Sequence, residues 1–308
     1  VLKRYDGASW LEVEDVCTRA ASAGIGRGFR AGDGVTVEGC ETEGVDGLHV
    51  LQAADDDWIV LPVMCRTVGS QTAAVTVKRA VPDMDFVVEQ GNRLWGCKYG
   101  IVNGEAVNEI YASKLGDFRN WNSFAGLSTD SYAASRGSDG VFTGAAACMG
   151  GVIFFKEDCM ERVYPSAAGA HQIVTVRCPG IRKGCGGSAA LVDGTLFYVG
   201  INGVYAFDGS MPSCVSQPLG SVRYAGAAAA GWNGQYWLAA RDEAGGRHVL
   251  VYDTAHGLWH RQDDADIMAF AVCGGALYGL TRSGALLDLT GGSGEPEETV
   301  RWLSLIHI

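Results

Sequence analysis

A glycine-containing turn that opens into an aromatic strand recurs five times in this chain: Gly91-Asn92-Arg93-Leu94-Trp95, Gly151-Val152-Ile153-Phe154-Phe155, Gly194-Thr195-Leu196-Phe197-Tyr198, Gly234-Gln235-Tyr236-Trp237 and Gly275-Ala276-Leu277-Tyr278. Successive glycines of the set are 60, 43, 40 and 41 residues apart. A period of about 40–45 residues filled with strands marks a β-propeller blade, longer than a leucine-rich repeat and unlike the helical TPR unit. Before the turns lie strands of small residues at 144–148, 188–192 and 225–230, joined by Met268-Ala269-Phe270-Ala271-Val272-Cys273. Small side chains suit the innermost strand of a blade, beside a crowded channel. After each aromatic strand comes an alternating one, as in Met160-Glu161-Arg162-Val163-Tyr164, Val204-Tyr205-Ala206-Phe207 and His248-Val249-Leu250-Val251-Tyr252. Period-two alternation with β-branched and aromatic residues is the strand signal.

The reading is therefore all-β: a propeller of four-stranded blades with an inserted small β-barrel, in a fragment truncated at both ends. Residues 1–15 read as the end of a blade, because Tyr5-Asp6-Gly7-Ala8-Ser9-Trp10 copies the later Tyr252–Trp259 turn. Residues 16–80 lack the blade pattern and read as the barrel, with strands expected near 34–38, 48–51, 57–61 and 74–78. Residues 81–302 carry five further blades, and the closing Leu-Ser-Leu-Ile-His-Ile of 303–308 reads as a translated sequencing-adapter end. Glycine, 44 of 308 residues, is about twice its usual share, which the many turns require.

Charge narrows the partners. The net charge is -11, and residues 1–80 hold 8 basic against 12 acidic side chains, so no basic module for direct, sequence-specific nucleic-acid binding is expected. The longest uncharged stretch, between Arg223 and Arg241, is broken by Asn233-Gly234 and is too short for a membrane span. The ten cysteines show no C-x2-C spacing and read as small buried thiols of a reducing compartment. No secretory h-region opens the chain.

Each chemical motif has a plainer reading. His256 and His260 have H-x3-H spacing but fall on a turn and strand, not a helix, so no metal is assigned. The acidic run Gly294-Glu295-Pro296-Glu297-Glu298 reads as a solvated loop. Gly116-Asp117-Phe118-Arg119-Asn120-Trp121 shares the Asp and Trp of a sialidase Asp-box without its intervening glycine. The basic run Val176-Arg177-Cys178-Pro179-Gly180-Ile181-Arg182-Lys183-Gly184-Cys185 is no P-loop and reads as an inter-blade loop. Trp121, Trp237 and Trp259 recur at equivalent positions, as wedges between blades would, rather than as a sugar-stacking set. No catalytic, cofactor-binding or metal-ligating residue is assigned.

The run Val81-Pro82-Asp83-Met84-Asp85-Phe86-Val87-Val88-Glu89, with Asn92–Cys97 and Asn108–Trp121, resembles bacteriophage structural proteins often labelled stabilisation protein. The Tyr252–His260 run and the Phe29-Arg30-Ala31-Gly32-Asp33-Gly34-Val35 entry are similar to the same family. The resemblance implies a non-enzymatic virion component of the head–tail junction or tail, related in role to the packaged-DNA stabilisation proteins of short-tailed phages. It further implies assembly in the bacterial cytoplasm, in multiple copies, against portal, connector or tail subunits. The alternative from fold class is a glycan-binding or glycoside-cleaving propeller, sialidase-like or a cell-wall adhesin. Cleavage would need two carboxylates converging in one cleft.

Overall fold

A computed structural model describes residues 2–5, 10–13, 18–21, 25–26, 29–63, 71–72, 74–121, 131–166 and 171–290. The acidic run 294–298, Trp302 and the 303–308 tail lie outside the described residues. The fold is all-β: the only helical piece among the described residues is the 3-10 turn Gln217–Leu219. The chain divides into two compact units, one of Val1–Asp85, Gly91–Gly137 and Ser166–Ala170, the other of Phe86–Gln90, Ser138–Pro165 and His171–Ile308.

The second unit repeats one design. Gly144–Cys148, Gly151–Phe155, Cys159–Tyr164 and Gln172–Arg177 form a four-stranded antiparallel sheet in sequence order. Ala190–Val192, Thr195–Gly200, Gly203–Phe207 and Ser213–Cys214 form the next, and Tyr224–Trp232, Gln235–Asp242, Arg247–Asp253 and Leu258–Asp263 the third. Ile267–Cys273, Ala276–Thr281 and Leu286–Asp288 make a last sheet of three described strands. The first strands of the second, third and last of these sheets lie side by side, and Gly187 bridges Ala228 in parallel. Sequential four-stranded meanders abutting along their first strands are propeller blades.

Two local devices make the repeat. The first hairpin of each sheet turns on two residues of positive φ: Met149/Gly150 (51° and 72°), Asp193/Gly194 (47° and 82°), Asn233/Gly234 (50° and 71°) and Gly274/Gly275 (58° and 84°). That is the type I′ turn, whose twist matches the flanking strands. The reading by sequence placed one turn glycine a residue late. Gly151 opens the next strand instead, where a Cβ would lie 2.6 Å from the Val163 carbonyl oxygen. The second device closes the third strand: Asp208, Asp253 and Asp288 accept backbone N–H bonds from Ser210, Ala255 and Thr290 at 3.0, 2.9 and 2.9 Å. Each is an Asx turn, two residues long and self-contained.

Aromatic side chains fill the space between sheets. Phe155 packs on Tyr198 at 5.0 Å between centroids and Phe197 stacks on Tyr236 at 5.3 Å, each across two sheets, while within the third sheet Tyr236 meets Trp259 edge-on at 6.3 Å. Trp237 and Trp259 are buried, and Trp259 Nε1 donates to the Val215 carbonyl of the neighbouring sheet at 2.9 Å. These tryptophans are inter-blade wedges.

In the first unit, Leu2–Tyr5 pairs with Trp10–Val13 as a hairpin. The 18–79 stretch holds two three-stranded sheets. In one, Trp58–Leu61 lies between Thr18–Ala21 and Ala53–Asp55. In the other, Gly34–Glu38 lies between Gly47–Val50 and Thr76–Arg79. They share a core of Val35, Val37, Val45, Leu51, Ile59 and Leu61. The expected closed barrel is not what the pairing describes, since no ladder joins the two sheets among the described residues. At Leu51–Gln52 the chain leaves one sheet for the other: Leu51 N–H donates to Asp33 O and Gln52 N–H to Val60 O, both at 2.9 Å. Leu94–Val102, Glu105–Ala112 and Tyr132–Ser135 then follow as antiparallel neighbours.

Candidate functional site

A cleft of about 830 Å3 in the first unit gathers the ionisable groups that best qualify as a site. It is built from a tight turn. Arg30 N–H donates to Asp33 Oδ2 at 2.9 Å, Asp33 N–H returns to Arg30 O at 3.2 Å, and Gly32 takes φ 86°, a left-handed value that favours glycine. The turn is pinned by Gly32 N–H to Leu51 O at 2.8 Å and by Asn103 Nδ2 to Gly32 O at 3.0 Å.

So held, Arg30 reaches across the cleft and its Nη2 donates to Glu109 Oε1 at 2.8 Å. Tyr111 O–H donates to Glu109 Oε2 at 2.6 Å, and Ser135 Oγ to Oε1 at 3.3 Å. Asp33 pairs with Arg79 Nη1 at 2.5 Å with both side chains largely buried, and Arg30 Nε lies 3.8 Å from Asp33 Oδ1. Arg79 also lies over the Phe29 ring at 5.0 Å. Burial pushes the Glu109 carboxyl up, but the hydrogen bonds from Tyr111 and Arg30, the Arg30 charge and the Ser135 hydroxyl outweigh it and hold the group below its ordinary range. Burial, then the bond to Glu109, raises the Tyr111 phenol. Glu109 is thus an ionised carboxylate saturated by donors. A general acid needs the opposite shift.

The rim is apolar and open. Leu48 is 71% exposed, Ile101 70% and Val81 60%, around a floor whose charges already have partners.

The motifs noted in the sequence lie elsewhere. Asp117 accepts the Arg119 N–H at 3.1 Å, and the indole of buried Trp121 donates to Phe118 O at 3.0 Å, which makes this segment another self-bonded turn. His256 bonds Asp253 at 2.9 Å on the same kind of turn, while His260 sits on the following strand, its imidazole lowered by burial. In the basic run, Arg177 pairs with Asp158, Arg182 Nη2 with Glu243 at 2.5 Å, and Lys183 N–H with Glu157 at 3.0 Å. Both arginines of the run are thus paired where they stand. All eight described cysteines are free thiols. No helix among the described residues is long and apolar enough to cross a membrane. The cleft residues Arg30 and Glu109 are 79 positions apart, with no spacing rule to link them.

No family model matches the chain, and no curated protein matches it. Among solved structures it is similar to BamB from Moraxella catarrhalis, with 11% identity, a TM-score of 0.34, and coverage of 78% of this chain and 74% of that one.

The clamp around Glu109 makes a pH prediction. A carboxyl lowered in the folded state contributes stability that is present above its unfolded pKa and lost as pH falls through the folded one. Glu109→Gln should cost about 1 kcal/mol at pH 7, less than a fully buried charged bond because Arg30 is mostly exposed. The gap between the variant and the parent should close towards pH 3 in urea midpoints. A gap that is the same at both pH values would refute the clamp.

Proposed function

We propose that the chain is a non-enzymatic structural subunit of a phage particle, held by neighbouring virion proteins through the first-unit cleft. The reading rests on the resemblance of residues 81–121 to phage stabilisation proteins. The observation that favours docking over catalysis is the cleft itself: an exposed rim of Leu48, Val81 and Ile101 above a carboxylate that is held ionised by three donors. A rim of this kind contributes binding free energy when covered, roughly 25 cal/mol per Å2 of apolar area before the costs of association. A paired floor fixes orientation. Portal, connector or tail subunits are the partners in this reading, with assembly in the host cytoplasm.

The test is incorporation. Ile101→Asp and Leu48→Asp should leave the melting transition within about 0.5 kcal/mol, as exposed substitutions do, yet remove the chain from purified particles analysed by mass spectrometry. Particles that retain the variants at parental levels would refute the cleft as the docking surface, and parental particles without the chain would refute the virion role. The second reading, a glycoside-cleaving propeller, needs two carboxylates in one cleft, and Asp33 and Glu109 both line this one. Turnover of aryl glycosides that disappears in Glu109→Gln would establish it instead.

A further inference from the structure

We propose that the second unit carries an oxyanion site where Arg241, Arg247 and Arg282 converge, and that its ligand is a phosphate group bearing two negative charges. The three arginines line a cleft of about 470 Å3 whose floor is made of small residues, Gly184, Ala225–Ala228, Ala239 and Ala240. Short side chains there leave room for a ligand against the backbone.

The electrostatics are unbalanced. Arg241 and Arg247 stand directly opposite each other in the antiparallel ladder. Like charges so placed repel. Arg282 arrives from the next sheet, its N–H bonded to Asp266 O at 2.9 Å and its Nε 3.6 Å from Asp266 Oδ2. Asp266 is the single acidic residue lining the cleft. Arg241 Nη2 donates to both of its oxygens, at 3.0 and 2.7 Å. One carboxylate among three guanidinium groups leaves two positive charges over, in a chain whose net charge is -11. The Arg247 guanidinium has no ion-pair or hydrogen-bond partner among the described residues.

The arrangement is also fixed in advance. Asp266 pairs with both Arg241 and Arg282, so part of the cost of ordering these two side chains is met before a ligand arrives, which lowers the cost of binding. Planar guanidinium forks suit the paired oxygens of a phosphate better than a point charge does. A dianion between Arg241, Arg247 and Arg282 would complete the balance that Asp266 begins.

Calorimetric titration of the full chain with inorganic phosphate and with glycerol 3-phosphate, at constant ionic strength set by chloride, tests the site. Saturable one-to-one binding is expected. Arg247→Gln should weaken it at least tenfold without lowering the melting temperature, since Arg247 holds no internal partner, and Arg282→Gln should weaken it as well. Arg177→Gln, whose pair with Asp158 lies outside this cleft, should bind as the parent does. Tighter binding of the phosphomonoester would identify a phosphate carried on a larger ligand, and equal binding a free one. No saturable heat with either anion, or unchanged affinity in both Arg247→Gln and Arg282→Gln, would overturn the proposal.

Discussion

Tyr198→Ala is expected to destabilise the chain by about 3–5 kcal/mol, the range for removing a large aromatic ring from a packed core. Tyr198 is completely buried, packs on Phe155 at 5.0 Å and Tyr205 at 5.9 Å between centroids, and donates its hydroxyl to the Pro179 carbonyl at 2.6 Å. Phe155 belongs to the preceding sheet and Tyr205 to the same one, so the ring joins two blades. Tyr198→Phe separates the two contributions. It keeps the packing and removes one buried hydrogen bond, leaving Pro179 O without that donor, at a cost of about 1–3 kcal/mol. Denaturant midpoints for both variants should fall in that order. A loss for the Ala variant below that of the Phe variant would mean that the ring is not a wedge.

The second large effect is expected at Gly231, on the first strand of the 224–263 sheet. A Cβ there would lie 2.3 Å from the Leu191 carbonyl oxygen and 3.2 Å from its carbonyl carbon, both backbone atoms of the neighbouring first strand. Neither can swing aside. Gly231→Ala should therefore push two blades apart at about 1–3 kcal/mol, the scale of overpacking in a well-filled interior. Gly226 on the same strand provides the control, because its added Cβ would meet nothing closer than 3.8 Å, at Gly184 O. Gly226→Ala should be nearly neutral by the same midpoint measurement. Equal losses at the two positions would show that strand propensity, not proximity of blades, sets the effect.

The repeat could be read from the sequence because a type I′ turn leaves a chemical trace. Both central residues need positive φ, so Asn233-Gly234, Asp193-Gly194 and Gly274-Gly275 stand out. Where Met149 fills the first turn position the trace is weaker, and the alignment slipped to Gly151. Ala53–Asp55 and Thr18–Ala21 passed unnoticed because three or four residues hold too little alternation to register as strands. The sites were less visible still. Arg30 meets Glu109, and Arg241 meets Asp266, through the placing of loops and ladders, which no local spacing encodes. Both arginines of the one basic run that did stand out, 176–185, are answered by Asp158 and Glu243, acids whose proximity appears only in three dimensions.

The order of strands within each sheet of the second unit bears on how the chain reaches this state. Strands that follow one another in sequence, the first hairpin of each sheet being closed by a two-residue turn, make only short loops, and short closures carry little entropy cost. A blade can thus form its ladders as soon as its own 40 or so residues have left the ribosome, before the next has been made. The costly step comes afterwards, when Tyr198, Tyr236 and Trp259 must find Phe155, Phe197 and the Val215 carbonyl across the gap between sheets. Folding of this unit therefore divides into fast local meanders and a slower docking of aromatic faces. Substitutions at the wedges should act mainly on the second stage, and those at the turns on the first.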